Sequence, residues 1–193
     1  MKNKLSGYII GGILVVVGIW LITTYNALVK KDEKVKLQWN EVQNTYQRRL
    51  DLIPNLVNTV KGGADFEQTT LQKVTEARAK ATAVQVSGLN AENYNQQSAA
   101  QDELAEAANR LIIAVEKYPE LQGTAAFRDL QTQLERTELR IKMARKDFNE
   151  AIATYNSSVK SFPTKLAAGL FGFSAKEGFQ SDAGADKSVE IKF

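Results

Sequence analysis

The chain has 193 residues, enough for one helical domain and an anchor. It contains no cysteine and no histidine, which excludes disulfides, thiolate nucleophiles, iron–sulfur clusters, His or Cys zinc sites and His-based triads. The net charge of +3 is spread with both signs along the chain, so it lacks the clustered positive charge a nucleic-acid partner needs.

Residues 1–7 form a short tail with basic Lys2 and Lys4, followed by an apolar run free of charge up to Lys30. About 20 apolar residues at about 1.5 Å per residue cross the hydrocarbon of a bilayer, so residues 8–25 are predicted to be a single transmembrane helix. Tyr8, Trp20 and Tyr25 lie near its ends, where amphipathic rings favour the interface. A cleaved signal peptide is the alternative. The run is longer than a usual signal core, and no clear small-residue cleavage motif follows it, which favours an uncleaved anchor. Gly7, Gly11 and Gly18 fall on one helical face. Such a face lets two helix backbones approach closely and self-associate, although glycine is also common in membrane spans generally. The basic leader before an apolar run behaves like a signal anchor, which favours a soluble part outside the cytoplasm. Lysines on both sides of the span keep the orientation open.

Residues 26–162 are predicted to be an all-α bundle of four antiparallel helices. Val35, Trp39, Val42, Tyr46, Arg49, Ile53, Leu56 and Val60 recur in alternating steps of four and three, a seam of coiled-coil type. Nothing breaks the pattern before it, so one rod from about Ser6 to Lys61 is expected, roughly 80 Å long. It should be kinked near Pro54 and ended by Gly62-Gly63. A second helix is expected from about Ala64 to Val86, closed by Ser87-Gly88, and a third from about Ala91 to Lys117, ended by Pro119. The fourth starts at a Thr124 cap, follows Phe127, Leu130, Leu134, Thr137, Ile141, Ala144, Phe148, Ala151, Tyr155 and Phe162, and is stopped by Pro163. Short connections make successive helices antiparallel neighbours, which gives an elongated up-and-down bundle.

Residues 163–193 change character. LAAGLFGF (Leu166 to Phe173) is apolar and punctuated by glycine. SDAGADKS is expected to be flexible, and the terminal VEIKF alternates like a short strand. Helix counting brings the apolar segment back beside Leu28–Val35, near the bilayer. There it can lie in the lipid interface, pack on its own stalk or bundle, or dock on a neighbouring copy through Leu170, Phe171 and Phe173. Docking on the neighbour is preferred, with folding back on the chain about equally well motivated.

Arg49 sits in an apolar seam, where an unpaired guanidinium would be very costly. A structural polar network of Arg48, Arg49, Asp51, Glu67, Glu116, Glu138 and Arg145 is therefore expected. The carboxylates could in principle form a site, but buried ionic groups more often specify packing. There is no nucleophile elbow, phosphate-binding glycine loop or metal-spaced ligand set.

The run YNALVKKDEKVKLQWNEVQNTYQRRLDLIPNLVNTVK (Tyr25 to Lys61) resembles the LemA family of bacterial membrane proteins. EKYPEL (Glu116 to Leu121), Phe127, LQTQLERTELRIKMAR (Leu130 to Arg145) and YNSSVKSFP (Tyr155 to Pro163) extend the resemblance over nearly the whole chain. In DFN (Asp147 to Asn149), Phe148 stands where the family often has Tyr, keeping the packing role and losing a hydroxyl. The last twenty residues match less clearly. The resemblance implies a membrane helix joined to a helical bundle; it implies no reaction, cofactor or substrate. The expected function is a non-enzymatic membrane-anchored scaffold that self-associates and organises envelope proteins or lipids. No catalytic residue, cofactor or metal is assigned. The expected partners are the lipid bilayer, further copies of the chain and other membrane proteins. The alternatives are an adaptor or sensory subunit of a membrane complex, and a ligand-binding protein or enzyme using Asp51, Glu67, Glu116 and Glu138.

Overall fold

A computed structural model describes residues 2–62, 68–84 and 90–179, with side chains from Gly7 onward. Among these residues all regular structure is helical: α1 (Lys2–Lys61), α2 (Gln68–Ala83), α3 (Ala91–Val115), α4 (Pro119–Gln122), α5 (Ala125–Lys160) and α6 (Thr164–Phe171). The fold is thus all-α. The expected Gly63, Ser87-Gly88, SDAGADKS and VEIKF features lie outside the described residues.

α1 is continuous from the apolar run to Lys61, with Pro54 inside it, as its unbroken pattern of helix-compatible residues requires. α3 starts at Ala91 as expected and ends at Val115, two residues before Lys117; α2 ends at Ala83, while its expected start at Ala64 lies outside the described residues. Pro119 does not simply stop α3. After Val115 the chain turns, and Pro119 opens the four-residue α4, where its missing N–H costs nothing because first-turn amides have no helical partner. α5 begins at Thr124, whose Oγ1 accepts from the Phe127 amide at 3.3 Å. α6 was not foreseen as a helix. Gly172 ends it at φ 76°, a left-handed conformation that glycine adopts without a Cβ clash.

The chain forms two compact units. The first comprises Met1–Asn40 and Lys146–Lys176, and the second Glu41–Arg145 and Glu177–Phe193, described as far as Phe179. In the second unit α1 and α3 run parallel, pairing Gln43 with Gln97 and Arg49 with Gln101. α5 runs against α1, pairing Arg48 with Gln133 and Tyr46 with Arg145. α2 runs against α1 and α3. This is an up-down-up-down four-helix bundle. Its core holds Ile53, Leu56, Val60, Val74, Leu104, Leu111, Val115 and Phe127, and Leu121 of α4 is buried with them.

In the first unit α5 again runs against α1. Trp39 meets Phe148 with ring centroids 5.3 Å apart, and Leu28, Val35, Tyr155 and Val159 are buried. The apolar window of α1 has none of its residues buried by the protein.

Candidate functional site

Three groups of side chains stand out, two in the bundle unit and one in the unit that carries the apolar end of α1. In the bundle, Arg49 is 1 % exposed although its seam neighbours are apolar. Its Nη1 donates to the Gln101 backbone oxygen at 2.8 Å and to Gln101 Oε1 at 3.1 Å. Its Nη2 donates to Glu138 Oε2 at 2.5 Å, closing an ion pair between α1 and α5. Burying one charge inside a bundle is tolerable only with such charge-assisted bonds. Arg49 Nε and Gln101 Nε2 have no hydrogen-bond partner among the described residues. Beside this pair lies a groove of about 400 Å³, lined by Arg49, Asn109, Glu116, Gln131, Glu135 and Glu138 among others.

The other expected members of the network separate. Arg48 is exposed and donates to Gln133 at 2.9 Å, a neutral partner. Asp51 is exposed and accepts from Gln47 at 2.8 Å. Glu116 is exposed at the edge of the groove. Glu67 lies outside the described residues. Arg145 forms a distinct group: its Nε donates to Tyr46 Oη at 2.8 Å and its Nη2 to Asp102 at 2.9 Å. The guanidinium also lies 5.4 Å from the Tyr46 ring centroid and 5.5 Å from that of Phe179. Burial opposes its charge, but Tyr46 and Asp102 outweigh that, and the net shift raises its pKa. Burial pushes the Tyr46 hydroxyl up and that of Tyr94 up to about 12. Among the described residues no group of three or more carboxylates is placed to hold a metal ion.

Sequence reasoning missed Arg78 in the bundle. Its Nε donates at 3.1 Å to the backbone oxygen of Leu50. Leu50 lies four residues before Pro54, which has no N–H to return. Arg78 therefore supplies the donor that the proline removes. The signal was available in principle: a proline inside a helix announces a carbonyl in need of a partner four residues earlier.

The third group lies in the other unit. Ala167 and Ala168 of α6 are buried. Tyr25 of α1 meets Phe171 edge-on at 5.0 Å and Phe173 at 5.7 Å. Asn156 acts as a substitute strand: its Oδ1 accepts from the Lys176 amide at 2.8 Å and its Nδ2 donates to the Lys176 carbonyl at 2.7 Å. The Lys176 ammonium reaches Asp32 at 3.0 Å and sits 5.4 Å from the Tyr155 ring centroid. Burial works to raise the Asp32 carboxyl, but hydrogen bonds from Lys176 and Lys36 outweigh it and hold it below 3.8. Lys31 donates to Ser158 on the same flank. The tail as far as Lys176 thus folds onto its own α1 and α5, with Phe171 and Phe173 placed on Tyr25. Leu170 remains exposed, as do Gly7 and Gly11 on the apolar run, while Gly18 is partly covered.

An exposed apolar helix that enters a packed helical bundle without a break defines a membrane-associated helical protein. More particularly, the chain belongs to the LemA family, whose family model matches residues 38–193. It is similar to magnetosome protein MamQ 2 of Paramagnetospirillum magneticum, at 24 % identity over 188 residues covering 88 % of this chain and 69 % of the relative. Magnetosome protein MamQ of Magnetospirillum gryphiswaldense gives the same identity and coverage. Protein LemA of Metamycoplasma hominis is 22 % identical over 143 residues, covering 74 % of this chain and 63 % of that protein.

Proposed function

We propose that this protein is a non-enzymatic, membrane-anchored scaffold that self-associates through its span and organises proteins or lipids of a bacterial envelope. The observation that carries this reading is the surface of α1. Ile9, Ile10, Ile13, Leu14, Val15, Val16, Val17, Ile19 and Ile22 are all exposed, a continuous apolar surface that needs a lipid or protein partner. A Cβ built on Gly7, Gly11 or Gly18 would meet nothing within 4 Å. No packing among the described residues requires glycine there, which favours a role between copies. The guanidinium groups of Arg49 and Arg145 are each held by a carboxylate, Glu138 and Asp102, an arrangement that favours packing rather than turnover. Placement in the inner membrane with the bundle outside the cytoplasm is part of the proposal.

The test is the mass of the full chain in detergent and in nanodiscs. The expected result is a defined homo-oligomer that Gly11→Leu shifts towards monomer. A wild-type monomer that co-purifies with one other membrane protein would overturn the scaffold in favour of an adaptor. Orientation is read by protease or maleimide access to the bundle in intact cells against permeabilised ones.

A further inference from the structure

We infer that α6, with Phe162 just before it, is a second membrane contact: a short helix whose outer stripe lies in the headgroup–acyl boundary of anionic lipid beside the end of the span. The inference rests on reading residues 8–25 as the membrane span. Phe162, Leu166 and Leu170 are spaced by four, and they are 82, 65 and 69 % exposed. Leu166 and Leu170, four apart on α6, share a helical face, and Phe162 in the turn before the helix adds exposed apolar surface at its start. On the other side Ala167 and Ala168 are each 1 % exposed. The small side chains therefore dock α6, and the large apolar ones point away from the protein. This is the reverse of the arrangement that water would select.

The level at which the stripe sits identifies what covers it. Thr164 lines one groove with Thr24, Ala27, Leu28 and Lys31 of α1, and Phe171 at the far end touches Tyr25. Both ends of α6 thus lie beside Thr24–Lys31, where the charge-free run stops. Lipid that covers α1 up to Ile22 reaches this level, so the stripe continues a surface already committed to lipid. Tyr25, Phe171 and Phe173 then form an aromatic group at the depth such rings favour. Lys30, Lys34, Lys160 and Lys165 are exposed in the same unit, and Lys165 lies on α6 itself. Basic side chains around an apolar stripe match anionic headgroups.

The absence of native cysteine allows single-cysteine labelling of the full chain. Leu170→Cys, Leu166→Cys, Val15→Cys and Leu37→Cys each receive an environment-sensitive fluorophore. All four side chains are exposed, so labelling leaves the core intact. The proteins are reconstituted in vesicles of phosphatidylcholine with and without phosphatidylglycerol, carrying spin-labelled lipids of known depth. The expected result is quenching of at least about twofold at positions 170 and 166 by a shallow spin label, about 5–10 Å below the headgroups, stronger with phosphatidylglycerol. Position 15 should be quenched by a deep label, and position 37 by neither. Quenching at 15 with none at 170 and 166 overturns the inference and leaves the span intact. No quenching at 15 overturns the span reading itself. A blue shift at 170 that grows with protein density without spin quenching assigns the stripe to a second copy and also overturns the inference.

Discussion

Arg49 shows how one residue can conflict with its helix position and still be selected by packing. Its pairing with Glu138 is asymmetric, because the side chain of Arg49 is 2 % exposed and that of Glu138 is 35 %. Arg49→Ala leaves Gln101 Oε1 without its donor and opens a cavity, while Glu138 can rehydrate. The expected loss is about 3 kcal/mol, the lower end of the range for breaking a buried pair, read by thermal unfolding in detergent. Arg49→Met with Glu138→Leu should recover most of it, because it removes both charges and keeps volume. An unchanged melting temperature in Arg49→Ala would refute this account. Arg78 and Pro54 form a second pair whose coupling can be measured. In the wild type, Arg78→Met should cost about 1–2 kcal/mol by leaving the Leu50 carbonyl short of a donor. In a Pro54→Ala background the backbone amide restored at that position can serve the carbonyl, and the same change should cost clearly less. Equal costs in both backgrounds would mean that Arg78 does not compensate for the proline.

At the scale of elements, α1, α5 and the start of α3 were legible because apolar spacing and capping residues act locally. The periodicity of Val35 to Val60 and the Thr124 cap needed no tertiary information. α6 was obscured because one glycine and two adjacent alanines give no clear period in eight residues, and its helix docks against α1. Asn156 was equally hidden, since an exposed-looking Asn in a helix gives no sign that it pairs with a backbone twenty residues later. The clasp it forms with Lys176 makes a prediction with a definite sign. The Asp32 carboxyl is held below 3.8, so its contribution is present above that value and is lost as pH falls through the lower, folded-state value. The anisotropy of a fluorophore on Ala175→Cys should therefore stay flat from pH 7 to about 4 and drop only in stronger acid. Asp32→Asn should reduce it already at pH 7, and Asn156→Ala should reduce it further by removing both backbone bonds. A transition between pH 5 and 7 would point to a different clasp.

At the scale of the whole molecule, the sequence distinguished the exposed apolar run from the packed helices more clearly than it identified any site. The apolar run read as a span because its composition lacks polar interruption. The polar network was only partly legible. Arg49 was conspicuous in its seam, whereas its acceptor Gln101 and the Arg145 partners Tyr46 and Asp102 are brought together only by the register of α1, α3 and α5. Glu116 and Asp51, equally plausible by composition, lie exposed. This division of labour can be tested by truncation. The apolar window of α1 buries none of its residues against the protein, while the contacts of Tyr25 with Phe171 and Phe173 lie beyond it. Deleting residues 1–18 should therefore remove the need for detergent without disturbing either unit. The truncated chain should be soluble, retain the helix signal expected for residues 19–179 by circular dichroism, and unfold cooperatively. It should also lose stable membrane anchoring and the self-association attributed to Gly7, Gly11 and Gly18. Full loss of helix in the truncated chain would show that the span supports the fold. Retention of the full oligomer would move self-association from the span to the bundle or the tail.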